Sequence, residues 1–313
     1  MRQVMIETFI AGAERGIEVA VVVGDSTSTS KIQPFMQRYP QRVINVGIAE
    51  QNLVGVAAGL SMGGMVAFTC NAAPFLVARA NEQIKNDICY SNTNVKLVGL
   101  NAGVAYGPLG STHHAIDDIA VMRGFGNISI FAPADPVEAK AVFEYALEHV
   151  GPMYIRMDSA ALAALHESDY AFEPGKVDVL AEGRDVTICA LGTIAHEAVG
   201  AARVLQADGI EAEILSLSSI RPIDRPALIE SVRKTGRVLT VEEHALAGGI
   251  GSLVAETLME AGVVARMQRL GFPEGEFPKA GPRKSMRAHY SLDCNGIAAM
   301  ARALCREQRG RAA

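Results

Sequence analysis

The chain has 313 residues, 49% hydrophobic, 20% charged and 5% aromatic, with no Trp. That length is near where one hydrophobic core stops growing, at roughly 250–300 residues, so two domains are expected, and the apolar content excludes a disordered chain. A net charge of −5, from 29 basic and 34 acidic residues, argues against bulk nucleic-acid binding, and apolar runs such as 19–23 fall short of the roughly 18 residues of a membrane span.

The five cysteines (Cys70, Cys89, Cys189, Cys294 and Cys305) are odd in number and widely spaced, without a C-x-x-C pair. Neither a disulfide framework nor a structural zinc site is expected, and a reducing compartment, the cytoplasm, is the natural reading. The start MRQVMIETFI reads as a helix and lacks the long apolar core of a secretory signal.

Short β-branched runs alternate with longer segments of helical period, the pattern of an α/β protein with a mostly parallel sheet. Strands are predicted at 19–23, 43–46, 65–69, 95–99, 128–131 and 153–156, with helices near 5–15, 49–61, 72–90, 115–123 and 136–149. The runs 19–23 and 95–99 lack alternation, as strands covered on both faces do. Asp135 before Pro136 supplies a helix start: a side-chain acceptor, then a residue without an N–H. The pattern then degrades over 158–176, the expected linker. A smaller α/β unit follows, with strands at 186–190, 212–216, 238–241 and 264–269 and helices near 195–206, 226–234, 249–260 and 293–306. The expected domains are therefore 1–157 and 177–313.

Several segments can carry chemistry. In VINVGIAEQNLVGVAAGLSMGG an apolar strand leads to Gly47, and Glu50 opens a helix of small apolar residues. A carboxylate in a first helical turn is stabilised by the dipole, worth about 0.3–1 kcal/mol. A carboxyl at the mouth of an apolar cavity is instead a functional acid, and spacing alone leaves both readings open. The glycine-rich segment from Gly99 to Arg123 follows a buried strand, where α/β proteins bind ligands. Its adjacent His113 and His114 cannot share a helix face, so a two-histidine metal site is not expected. One of them can point into a cleft as a proton donor; the plainer reading is surface or cap. AGGIG at 247–251 is a partial dinucleotide fingerprint. The hydroxyl-rich loop Gly24-Asp25-Ser26-Thr27-Ser28-Thr29-Ser30 suits phosphate contact or an ordinary turn. Arg156, ending an apolar strand, needs an anionic partner if buried, most simply a nearby Asp or Glu.

Taken in order, GDSTSTSK, INVGIAEQN, AFTCNAAPFLVARANEQI, AGVAYGPLGSTHHAIDDIAVMR, FAPADP and YIRM resemble the pyrimidine-binding domain of transketolase-like thiamine diphosphate enzymes. SLSSIRPID and VEEHALAGGIGSLVAE are similar to the transketolase C-terminal domain. The closest likeness is to the C-terminal subunit of a split, two-gene transketolase. The resemblance implies a parallel-sheet pyrimidine-binding domain followed by a smaller α/β domain. It also implies half an active site: the family's G-D-G motif for Mg²⁺ and the diphosphate is not Gly24-Asp25-Ser26, so a separate N-terminal subunit would supply those contacts. A heterotetramer with two copies of each subunit is implied, acting on sugars or sugar phosphates.

The resemblance also assigns residues. Glu50 matches the glutamate that hydrogen-bonds N1′ of the aminopyrimidine, where a protonated carboxyl favours the imino tautomer that deprotonates thiazolium C2. An apolar, dry setting would hold that proton. Phe75 matches the ring that lies against the pyrimidine, and Asp25 an acid near the cofactor and subunit interface. His113 matches the histidine that hydrogen-bonds the sugar and assists proton transfer, and Arg156 the arginine that binds a terminal anion. Three departures bear on substrate. Ala72 stands where many transketolases have Phe, Asn101 where a substrate-contacting histidine is usual, and Pro108-Leu109 where two acidic residues normally lie. A site lacking a hydroxyl-binding group discriminates differently. The expected substrate is therefore an altered sugar: branched, deoxygenated or carrying another anionic end group. Three rivals remain: the β subunit of a 2-oxo acid dehydrogenase component, 1-deoxyxylulose-5-phosphate synthase, and a non-catalytic partner subunit.

Overall fold

A computed structural model describes residues 1–25 and 27–306. Ser26 of the hydroxyl-rich loop and the last seven positions of the second expected domain lie outside the described residues. The chain divides into two compact units, Met1–Ala105 with His113–Phe172, and Tyr106–Thr112 with Glu173–Ala313.

In the first unit the helices are α1 (Arg2–Glu14), α2 (Thr27–Ser30), α3 (Gln33–Arg38), α4 (Glu50–Met62), α5 (Ala73–Arg79), α6 (Asn81–Gln83), α7 (Asp118–Arg123) and α8 (Pro136–Glu148). Its strands are β1 (Val19–Val23), β2 (Val43–Asn45), β3 (Val66–Ala72), β4 (Val95–Leu100), β5 (Ser129–Phe131) and β6 (Met153–Arg156). These strands pair in parallel in the order β5-β6-β4-β3-β1-β2. Every residue of β1 and β4 is buried, as their unbroken apolar runs predict. Phe9 of α1 stacks obliquely on Phe68 of β3, centroids 4.4 Å apart, and meets Phe143 of α8 edge-on at 5.7 Å. Large aromatic areas removed from water fix that layer.

Asp135 caps α8 as expected, its Oδ1 accepting from the Glu138 N–H at 2.8 Å. The expected linker begins as part of this unit. The N–H groups of Leu165 and His166 donate to Asp135 Oδ2 at 2.5 and 2.8 Å, and Phe172 packs edge-on against Phe131. The single helix predicted over 72–90 is broken. It leaves α-geometry after Arg79, where Ala80 takes φ −102°, ψ 23°, and continues as α6 and a π-helical stretch, Ile84–Tyr90. The helix predicted from 115 begins at Asp118, because Ala115 exchanges two backbone hydrogen bonds with Gly103.

The second unit contains β7 (Asp178–Ala181), β8 (Val186–Ala190), α9 (Ala195–Gln206), β9 (Ala212–Ser216), β10 (Ser219–Arg221), α10 (Arg225–Thr235), β11 (Arg237–Ala245), α11 (Ile250–Glu260), β12 (Arg266–Phe272), α12 (Arg283–His289) and α13 (Cys294–Arg306). A five-stranded sheet runs β12-β11-β8-β9-β7, parallel except for the edge strand β7. The turn Gly107–Leu109 belongs here: the Gly281 N–H donates to the Gly107 carbonyl at 3.0 Å, and the Ser111 hydroxyl to the Pro278 carbonyl at 2.7 Å. Among the described residues no helix is long and apolar enough to cross a membrane.

Candidate active site

Five candidate residues sit at or just beyond the carboxyl ends of parallel strands: Asp25 after β1, Glu50 after β2, Phe75 after β3, Asn101 after β4 and Arg156 at the end of β6. That edge is where open α/β sheets bind ligands, because the strands stop and loops splay apart there. Asp25 is exposed, with φ 59°, and its N–H donates to Asn45 Oδ1 at 3.1 Å.

Glu50 is the first residue of α4 and is only 2% exposed. Its Oε1 accepts from Asn71 Nδ2 at 3.1 Å and its Oε2 from Arg79 Nη1 at 2.5 Å. The carboxyl is buried as expected, but the expectation of apolar surroundings is corrected. The pocket is buried, but an amide and a guanidinium satisfy the acid, since burying a lone carboxylate would be prohibitive. Arg79 also lies over Phe75, its Cζ 5.1 Å from the ring centroid. The His113 ring meets Phe75 edge-on at 5.1 Å. The fold thus gathers Glu50, Phe75 and His113, and adds Asn71 and Arg79, which the sequence reading missed. Asn71 and Arg79, polar residues within the largely apolar run from Ala67 to Ala80, were the available signal.

A second cluster surrounds Arg156, which is 7% exposed. Its Nε donates to Asp118 Oδ2 at 2.8 Å, and Nη2 to the Ala115 carbonyl at 3.0 Å. The Tyr154 hydroxyl donates to the same Oδ2 at 2.7 Å. Burial, reinforced by the Asp118 charge, pushes the phenol well above its ordinary range, so Tyr154 is a permanent donor. A Cβ at Gly99 would collide with that phenol. The Asp118 carboxylate and the Ala115 carbonyl both compensate the burial of Arg156.

Asn101 is 3% exposed and adopts φ 58°, a left-handed conformation that Asn tolerates better than most residues. Its Nδ2 is buried without a hydrogen-bond partner. Orphaned buried donors are rare, and strain at a strand end is characteristic of binding sites.

The AGGIG stretch serves its own unit. Gly249 precedes α11, and the N–H groups of Ile250 and Gly251 donate to the buried Glu242 carboxylate at 2.7 and 2.9 Å. A Cβ at Gly249 would overlap that carboxylate. The helix start suited to a phosphate is filled by an internal acid.

Residues 1–163 match the transketolase pyrimidine-binding domain and residues 175–297 the transketolase C-terminal domain. The chain is 51% identical over 304 residues to one of the subunits of the apulose-4-phosphate transketolase of Actinobacillus succinogenes, covering 97% of this chain and 98% of that one. It is 38% identical over 297 residues to the corresponding apulose-4-phosphate transketolase subunit from Phocaeicola vulgatus, covering 95% and 94%. Among solved structures, a split-gene transketolase described as an inactive β4 tetramer superposes with a TM-score of 0.88 at 37% identity, covering 97% of each chain. The aromatic ring of Phe75 and the buried Glu50 carboxyl, bridged by Arg79, offer the stacking face and hydrogen-bonding acid that suit an aminopyrimidine ring. The chain belongs to the transketolase family, of which it carries the pyrimidine-binding and C-terminal domains.

Proposed function

We propose that this chain supplies the pyrimidine side of a thiamine diphosphate site in a two-subunit transketolase, and that an N-terminal subunit supplies Mg²⁺ and the diphosphate contacts. The observation that carries this reading is the convergence of Glu50, Phe75 and His113 at one sheet edge. Thiamine diphosphate, when bound, would supply the nucleophilic carbon needed for transfer of a two-carbon ketol unit from ketose to aldose. Phe75 stacks on the aminopyrimidine and Glu50 holds a proton at its N1′. His113 hydrogen-bonds the sugar and moves a proton there. Asp25 lies where the cofactor meets the neighbouring chain. Asn101 offers its orphaned amide to a substrate oxygen, and Arg156, fixed by Asp118, is assigned to the terminal anion. The working assembly is two copies of each subunit in the cytoplasm.

The substrate class is a branched sugar phosphate of the kind named in the two apulose-4-phosphate relatives, which suits the departures at Asn101, Pro108 and Leu109. The transketolase relatives favour ketol transfer over 2-oxo acid decarboxylation. The test is reconstitution with the N-terminal subunit and a comparison of apulose 4-phosphate with xylulose 5-phosphate. Preference for the branched sugar is expected, and a clear preference for xylulose 5-phosphate would overturn the substrate assignment. Glu50→Ala should cut turnover by roughly 10²–10⁴-fold. An unaffected complex would instead indicate a scaffolding role for this chain.

A further inference from the structure

Arg79 closes α5 four residues after Phe75, so the two side chains share one face of the helix. It makes two contacts at once: Nη1 donates to Glu50 Oε2 at 2.5 Å, and the guanidinium lies over the Phe75 ring at 5.1 Å. The Glu50 side chain is 3% exposed and that of Arg79 42% exposed, so the acid is fixed and the base has a route to solvent. A guanidinium is planar and delocalised, stacks on aromatic rings and donates in its own plane. An aminopyrimidine needs the same two things, a stacking face and a hydrogen bond to the carboxyl.

We propose that Arg79 is a placeholder for the aminopyrimidine: it occupies Phe75 and Glu50 in the cofactor-free form and swings into solvent when the cofactor enters. The inference rests on the assignment of Glu50 and Phe75 as cofactor residues. Its physical basis is that, without Arg79, the buried Glu50 carboxyl would keep only the neutral Asn71 amide as a partner and lose its counter-charge, which is destabilising. Arg79 keeps the unloaded protein intact. The same contact lowers apparent cofactor affinity, by the fraction of molecules in which the arginine is in place. Arg79 is thus a positioning residue in the cofactor-free form and a competitor during loading.

The test uses the reconstituted two-subunit complex. Thiamine diphosphate binding is measured by titration calorimetry in the presence of Mg²⁺, and melting temperatures are recorded with and without cofactor. Arg79→Met keeps the aliphatic stem and removes the guanidinium. It should bind cofactor roughly 5- to 30-fold tighter, the weight of one partly exposed ion pair and one cation–π contact. The cofactor-free complex should melt lower than wild type while the loaded complex melts alike. Unchanged or weaker cofactor binding, or equal loss of melting temperature in both forms, would show Arg79 to be a fixed support and overturn the proposal. Arg79→Lys retains charge without the planar stack and should tighten binding to a smaller degree, which keeps the test decisive if the Met variant fails to assemble. Phe75→Ala and Glu50→Gln should both weaken binding. If neither does, the cofactor assignment itself fails, an outcome distinct from failure of the placeholder.

Discussion

Arg156 and Tyr154, alternate residues of one strand, converge on a single oxygen of Asp118, at 2.8 and 2.7 Å. Asp118 is therefore the anchor of the β6 end, and both donors depend on it. Asp118→Ala removes the carboxylate that Arg156 and Tyr154 share, and breaking a buried ion pair typically costs about 3–5 kcal/mol. Tyr154→Phe, which removes one neutral donor, should cost about 1 kcal/mol. Urea unfolding of both variants checks the difference. If Arg156 also meets the substrate's anion, Asp118→Ala should raise KM for a phosphorylated sugar more than it lowers kcat.

Asp135 predicts acid sensitivity. Burial opposes its charge, but hydrogen bonds from His166 and from the N–H groups of Glu138, His166 and Leu165 outweigh it and hold the carboxyl well below the usual range. A depressed carboxyl contributes stability that is present above its unfolded value of about 3.9 and is lost as pH falls toward the native value. Asp135→Ala should cost about 2–4 kcal/mol at neutral pH, from the lost helix cap and stranded donors. It should also flatten the stability profile below about pH 5. Chemical denaturation at pH 7, 5 and 3.5 reads both effects.

Lys96 is buried, and its ammonium donates to Asn94 Oδ1, the His149 carbonyl and the Gly151 carbonyl at 2.7–2.8 Å. Burial pushes its pKa down to about 7. Between that value and the unfolded value of about 10.4, the unfolded chain binds a proton that the native chain lacks, so this site makes stability rise with pH. Lys96→Met should remove that rise. Wild-type and variant stability measured from pH 7 to 9.5 should diverge steadily; parallel curves would contradict the assignment.

Asn101 should report on substrate. Asn101→Ala removes the orphaned donor and should raise KM for the preferred sugar by roughly 3- to 10-fold, the loss of one hydrogen bond. Asn101→His, which introduces the group usual in transketolases, should shift the kcat/KM ratio toward xylulose 5-phosphate. Side-by-side steady-state kinetics on the two ketoses provides the measurement.

The sheet was legible because 19–23 and 95–99 are apolar without interruption, and parallel strands covered on both faces require that. The cap at Asp135 was legible for a local reason: side chain and donor are three residues apart. The break after Arg79 was not, since the helical period continues through Ala80 while the backbone does not. The edge strand Asp178–Ala181 and the basic helix Arg283–His289 escaped because neither carries a clear apolar period. At the site, the positions of Glu50 and Phe75 were readable from motif and helix start. Their partners were not. Asn71 and Arg79 reach Glu50 across 21 and 29 residues, and only folding reveals such meetings.

Glu242 gives the second unit a distinctive economy. Its carboxylate sits where glycine-led helices elsewhere receive a nucleotide's phosphates, and the bare Gly249 leaves room for the protein's own side chain. The glycine pattern that imitates a nucleotide cradle is thus a self-plugged socket, already neutralised from within, and this helix start is closed to an outside diphosphate.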